Sequence, residues 1–375
     1  MSDDLSEYLR AKDPGKAELA GLWRAAIGLQ KVDGLTPSAY LVETARRNIE
    51  GEITIAEAGK LIGEYYKSKA VRAEAAKTRT DEADIVSQRI TGILAEPTFS
   101  FSPASYVSIH RKLFAGVYKH AGKIRDYNIT KSEWVLKKDT VRYESADVIA
   151  ATLEYEFERE RRFNYKGLSP QETIAHFSRF IADVWQIHAF GEGNTRTTAI
   201  FAAKYLRTLG YTVENDIFAD TSFYFRNALV RANYTNVPKG IHPTLVYLER
   251  FFANLLLGES NELKSRYLLV GLNEEPESLV PSKREQAGEQ VREQVKMEVP
   301  KGVARLLKVL KGEMSVLDMM VALKLGGRRN FLEKYLTPSI ELGLVEMTQP
   351  NSPRSPTQKY RLTAKGKKLR QEVVK

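Results

Sequence analysis

Residues His188 to Arg196, reading His-Ala-Phe-Gly-Glu-Gly-Asn-Thr-Arg, separate two segments that each carry the pattern of a buried helix. Upstream, Ser169-Pro170-Gln171-Glu172 supplies an N-cap, a proline at the first helical position and a capping-box acid. Ile174, Phe177, Ile181, Val184 and Trp185 then recur at three- and four-residue spacing, so the helix is expected to end near Ile187. Downstream, Thr197 to Leu209 is rich in alanine, leucine and aromatics and is stopped by Gly210. A chain built this way must fold as a helical body whose short loop empties into a helix N-terminus. Unpaired N–H groups and the macrodipole favour an anion there.

The loop's side chains add chemistry to that geometry. A histidine can take a proton, a carboxylate can hold a divalent cation, and glycines let backbone N–H groups approach phosphate. A lone histidine between helices is more often a hydrogen-bonded structural residue, and Gly-x-Gly alone is a common turn. The joint spacing of His188, Phe190, Glu192, Gly193, Asn194 and Arg196 is what outweighs both readings.

The segment resembles the signature of Fic-domain proteins, HPFx(D/E)GNGRxxR, from His188 through Arg196. The likeness extends to Phe114–Tyr118 with Ala121–Arg125, similar to the helix and turn before the family's flap. It also covers Ile129–Tyr143, read as two short strands forming that flap, and Tyr224–Leu229, similar to a later pocket-closing helix. The resemblance implies a mainly α fold, a Fic-type helical bundle with a β-hairpin flap. It implies transfer of AMP from ATP to a hydroxyl of a target protein. Carried over by position, His188 is the general base and Glu192 holds Mg²⁺. Gly191, Gly193, Asn194, Thr195 and Arg196 bind phosphate, Tyr224 and Asn227 belong to the nucleotide pocket, and Phe190 anchors the loop.

Three positions depart from the signature. Ala189 replaces proline, Thr195 replaces glycine, and Ala199 stands where a second arginine holds the γ-phosphate in the family. Lys204, Arg226 and Arg231 are the candidate substitutes, and without that arginine the transferred group stays open. The N-terminal segment is similar to small VbhA-type antitoxins, which inhibit Fic proteins through a helix ending in (S/T)xxxE(G/N). The aligned residues here are Leu29 to Gly34, with Asp33 in the inhibitory glutamate's position. Loss of that glutamate coincides with loss of its arginine partner, so a fused but altered inhibitory module is expected.

Composition sets the frame. With 375 residues there is room for two or three domains, and with no cysteine neither disulfides nor thiolate sites can contribute. The acidic start Met1-Ser2-Asp3-Asp4 shows no secretory signal, and no apolar run approaches the roughly 18 residues a membrane span requires. A cytoplasmic protein with no membrane partner is expected, and a homodimer is left open. The net charge of +10 is confined to the tail: residues 301–375 hold 16 Lys and Arg against 6 Asp and Glu. Residues 273–300, rich in Glu, Lys, Gln, Ser and Pro, read as a linker. The expected domains are therefore a helical segment over 1–80, a catalytic domain over 81–265, a linker over 266–300 and a tail domain over 301–375.

Within the tail, Ser315 caps a short helix with Val316, Leu317, Met319, Met320 and Leu323 expected on its buried side. A second helix runs from Arg328 to about Leu342, and strands at Val345–Met347 and Gln358–Leu362 precede a last basic helix from Thr363. This order is similar to winged-helix DNA-binding domains. In that reading Arg328, Arg329, Asn330 and Lys334 lie on the recognition helix and Arg354 on the wing, with DNA as a partner. Two functions follow from different classes. The leading one is a Mg²⁺-dependent protein adenylyltransferase; the alternative is a DNA-binding transcriptional regulator that keeps a nucleotide-binding, weakly active or inactive Fic core.

Overall fold

The computed structural model describes residues 5–10, 13–213, 216–271, 301–323, 325, 331–348 and 358–373. The chain divides into two compact units, residues 1–286 and 287–375, and each has its own core.

The first unit begins with α1 (Ser6–Leu9), α2 (Pro14–Gly28), a 3₁₀ turn (Leu29–Asp33), α3 (Ala39–Ile49), α4 (Ile55–Tyr65) and α5 (Lys69–Thr78). The starts of α2, α3 and α4 follow from capping chemistry. The Asp13 and Ser38 side chains accept from first-turn N–H groups, and Thr54 with Glu57 closes a capping box. Trp23, Leu41, Ala45, Ile49, Ala58 and Ile62 form a small core of their own. The opposite side of α2 inserts Leu22, Ala25 and Ala26 into the main core. That double use ties the N-terminal helices to the body.

The body is built from α6 (Thr80–Ala95), α7 (Pro103–Phe114), α8 (Ile149–Arg161), α9 (Pro170–Ile187), α10 (Asn194–Thr208), α11 (Asp216–Asn233) and α12 (Val246–Leu257). The expected capping box at Ser169 and Glu172 is present, and α9 ends at Ile187. Helix α10 starts three residues earlier than the composition suggested, directly at Asn194. Phe157, Phe177, Phe180, Phe201, Phe225, Phe251 and Phe252 are wholly buried between these helices, joined by Leu268 and Val270 from beyond α12. Each such ring contributes about 1.5–3 kcal/mol, so packing rather than any polar contact fixes the frame of the loop.

The expected flap hairpin is not formed. Over 129–143 the backbone is extended around a 3₁₀ turn at Trp134–Leu136, with Lys137 and Lys138 both at positive φ. The reason lies in what the segment binds. Val135 and Leu136 enter the core, and the Val135 carbonyl accepts from Val270 instead of a facing strand.

The second unit contains α13 (Lys301–Val309), α14 (Val316–Ala322), a π-helical turn (Leu332–Leu336) running into α15 (Thr337–Glu341), then β1 (Val345–Met347), β2 (Tyr360–Leu362) and α16 (Ala364–Val373). The two strands pair antiparallel with Glu346 opposite Arg361. Ser315 and Asp318 form the capping box of α14, and Met319, Met320 and Leu323 are buried as expected. Leu317 is not: it is 69% exposed, because the buried stripe of so short a helix has room only for residues three and four apart. The π turn precedes Pro338, whose missing N–H removes one α-helical bond. Lys334 lies on that turn and is exposed. Arg328, Arg329, Asn330 and Arg354 lie outside the described residues.

Candidate functional site

Helix α9 ends with His188 in the left-handed conformation, φ 50° and ψ 55°, an uncommon one for a side-chain-bearing residue. Arg125 holds the chain in that bend. Its Nε donates to the His188 carbonyl at 2.8 Å, its Nη2 to the Ile187 carbonyl at 3.3 Å, and its backbone N–H to the Ala189 carbonyl at 2.9 Å. The same guanidinium also reaches the carbonyls of Tyr127 and Glu144. One cation thereby satisfies carbonyls left orphaned at a helix C-terminus.

The loop is closed from inside. Phe190 is buried and stacks on His110 with ring centroids 3.7 Å apart. The Asn194 side chain turns back on the Phe190 backbone, accepting from its N–H at 3.0 Å and donating to its carbonyl at 2.6 Å. His110 accepts from the Gly122 N–H at 2.8 Å through Nδ1, so its proton sits on Nε2 and is donated to the Glu192 carbonyl at 3.0 Å. Burial lowers the His110 pKa to about 4, which keeps this tautomer neutral. Gly193 has φ 78°, and a Cβ there would come within 2.4 Å of the Phe114 ring. Glycine is required at this bend.

Helix α10 leaves the loop with no side-chain cap. Its first bonded N–H is that of Thr197, to the Gly193 carbonyl, so the N–H groups of Asn194, Thr195 and Arg196 precede the helix's own hydrogen bonding and are the kind of donors to which an anion is attracted. The Thr195 hydroxyl does not face that opening, since it accepts from Trp185 Nε1 at 3.0 Å. The His188 ring is 3% exposed and lies against Tyr143 at 4.0 Å and edge-on to Trp185 at 5.2 Å. Neither ring nitrogen has a hydrogen-bond partner among the described residues. Burial, and then the positive charges of Lys131, Arg125 and Arg226, hold its pKa well below the usual histidine value. Glu192 is half exposed at the mouth and pairs with Lys131 at 3.1 Å.

Arg196 is fully buried, and both of its terminal nitrogens are hydrogen-bonded. Its Nη2 donates to Glu82 at 2.8 Å and to the Tyr118 hydroxyl at 3.0 Å, its Nη1 to Gln30 Oε1 at 3.0 Å, and its plane lies 4.8 Å over Phe114. Its Nε faces Asp33 Oδ2 at 2.8 Å. Asp33 ends the 3₁₀ turn where Gly34 takes φ 70°, and its other oxygen lies 3.7 Å from Arg226. The two other expected site residues lie on α11. The Tyr224 hydroxyl donates to the Tyr247 carbonyl across the α11–α12 packing, while the buried Asn227 amide nitrogen has no partner among the described residues. Sequence reading had no local signal for His110, Glu82, Gln30, Lys131, Glu133 or Tyr143, and it quoted Arg125 only as part of a turn.

Residues 100–206 match the Fic/DOC family, and residues 301–363 match the domain described as "Filamentation induced by cAMP protein Fic-like, C-terminal domain". The chain therefore carries a Fic/DOC family domain followed by a Fic-like C-terminal domain. Among curated relatives it is 29% identical over 139 residues to "Protein adenylyltransferase VbhT" of Bartonella schoenbuchensis, over 34% of this chain and 28% of that one. It is 28% identical over 131 residues to "Probable protein adenylyltransferase y4lH" of Sinorhizobium fredii, over 34% of this chain and 64% of that one. The match thus spans less than two thirds of either relative. Among solved structures it is similar to a Fic family protein from Desulfovibrio desulfuricans, with 21% identity, a TM-score of 0.36 and coverage of 95% and 98% of the two chains. The BepC protein of Bartonella tribocorum with bound AMPPNP is 20% identical, with a TM-score of 0.36 over 45% of this chain and 81% of that one.

Proposed function

We propose that this chain is a protein adenylyltransferase that moves AMP from ATP to a hydroxyl side chain of a target protein. The names of the relatives support the reaction class. The observation that carries the proposal is the His188 imidazole, buried and without a hydrogen-bond partner among the described residues, six residues before the uncapped start of α10. A neutral imidazole with free nitrogens is a base awaiting a proton, and the three uncapped N–H groups at the other end of the same loop suit the phosphate being attacked. In the reaction the target's oxygen bonds to the α-phosphorus, the bond to the bridging oxygen breaks, and pyrophosphate departs with that electron pair. The hydroxyl proton passes to His188. Tyr143 and Trp185 fix the ring's orientation through their packing against it.

Among the described residues no group of three or more His, Cys, Asp or Glu side chains could hold a metal ion. The chain itself offers Glu192 alone, which fits a Mg²⁺ that takes the rest of its shell from donor phosphates and water. Such an ion would neutralise charge on the departing pyrophosphate. Incubation with ATP and Mg²⁺ followed by intact-mass spectrometry tests the reading. Addition of one AMP to the protein or to lysate proteins is expected, and its loss in His188→Ala. Addition of a single phosphate instead would replace adenylyl transfer with another reaction of the same site.

A further inference from the structure

A cavity of about 300 Å³ opens on the first unit where the end of α6, the segment 96–102 and one face of α7 meet α10. Its lining follows from helical spacing: Ser105, Ser108, Ile109 and Lys112 recur three and four residues apart, which sets them on one stripe of α7. Ile93 and Ile109 with Phe99, which packs edge-on against Phe201 at 5.5 Å, give it an apolar wall. None of these residues belongs to the loop from His188 to Arg196.

Lys204, a candidate for the missing phosphate-binding cation by its sequence position, lines this cavity, eight residues or about 12 Å along α10 from Arg196. It is 4% exposed, and its Nζ donates to the Ile93 and Glu96 carbonyls. An ammonium carries three N–H groups, so one is left without a partner among the described residues. No described carboxylate pairs with it either, because Glu96, the acid of the cavity, is taken by Lys112 at 2.9 Å. Burial and then the charge of Arg207 outweigh the pull of Glu96 and lower the Lys204 pKa, the behaviour of a cation short of counter-charge. Capping the C-terminus of α6 accounts for the two carbonyl contacts. It does not account for the third N–H, nor for the hydroxyls of Thr98, Ser100, Ser105 and Ser108, none of which bonds to another described residue.

We propose that this cavity binds a small hydroxylated phosphate monoester, of the size of a sugar phosphate, with its phosphate at Lys204. A phosphate brings the missing negative charge and three strong acceptor oxygens. Its sugar body offers hydroxyls to the serines, Thr98 and Glu96, and C–H faces to Phe99 and the isoleucines. The volume stands at the lower end of small-ligand pockets, which suits a metabolite smaller than a nucleotide. The inference does not depend on the adenylyltransferase reading, which concerns the other end of α10.

Titration calorimetry on the full chain tests the site without any transfer step. The probes are glucose 6-phosphate, ribose 5-phosphate and glycerol 3-phosphate, beside glucose and inorganic phosphate. At least one ester is expected to bind about tenfold tighter than inorganic phosphate, and glucose more weakly than either. Lys204→Met, which keeps the apolar stem, should weaken that ester about tenfold through loss of a charge-assisted bond. Because Lys204 also caps α6, a second variant is needed. Ser105→Ala with Ser108→Ala breaks no hydroxyl bond between described residues, so it should keep the melting temperature, weaken the ester about fivefold and leave inorganic phosphate unchanged. His188→Ala should bind the ester like the parent, which separates failure of this site from failure of transfer. The inference is overturned if no ester binds below about 10 mM, if ester and inorganic phosphate bind equally, if the serine pair leaves the ester unchanged, or if ATP competes with it and so places it in the loop.

Discussion

Two histidines at the loop are kept neutral by burial, and they answer to acid in the same direction. His110 has a folded pKa of about 4 against an unfolded value near 6.5, so the unfolded chain binds the proton more readily. The stability that neutral His110 confers is fully present above about pH 6.5 and is lost as pH falls toward 4, in total about 3 kcal/mol. His188, also depressed by burial, has the same sign. Denaturant midpoints between pH 7 and 4.5 should therefore fall less steeply in His110→Gln than in the parent; equal slopes would contradict the assignment. The two loop glycines separate for a related local reason. Gly193→Ala is expected to cost about 3 kcal/mol, combining a left-handed φ with an overpacked Phe114 ring. At Gly191 the nearest obstacle is the hydroxyl of Tyr127, a side chain that is 53% exposed and free to move, so Gly191→Ala should cost under about 1 kcal/mol. Urea melts of the two variants compare them directly.

Among the elements, capping chemistry was the most readable. The boxes at Ser169 and Ser315 and the end of α9 at Ile187 involve groups within four residues of each other, so the sequence displays both partners. The flap was misread because alternation and a polar turn describe a hairpin only if the two arms face each other. Here the arms meet at the turn, where the Glu133 N–H donates to the Asp139 carbonyl and the Lys138 N–H to the Glu133 carbonyl, but no ladder extends from it: the Glu133 carboxylate is taken by Arg226 and the Val135 carbonyl by Val270. The helix expected after Arg328 is interrupted in its character by a π turn at Leu332–Leu336, two residues before Pro338, which has no N–H to offer the α-helical ladder. The N-terminal 3₁₀ turn shows the same division. Its position and the left-handed Gly34 could be read from the aligned string, whereas the partner of Asp33 is Arg196, more than 160 residues away.

At the scale of the whole molecule, two separate cores imply two unfolding events. All three tryptophans, Trp23, Trp134 and Trp185, lie in the first unit, so their emission reports that unit alone, while helical circular dichroism reports both. In a guanidinium titration the two signals should not coincide, and ATP should shift only the transition seen by tryptophan. A single coincident transition would show that the units melt together. No described helix is long and apolar enough to cross a membrane. The sequence by itself determined the helical class, the capped ends of α9 and α14, the strand pair of the tail and the cluster of reactive residues from His188 to Arg196. Those properties depend on neighbours along the chain. Only the tertiary structure decided that Arg125 bends the loop, that His110 locks it, and that Asp33 sits between Arg196 and Arg226. Each of those pairings closes a loop of tens to hundreds of residues, and which long-range partners meet is set by how the aromatic core packs its helices, not by spacing in the sequence.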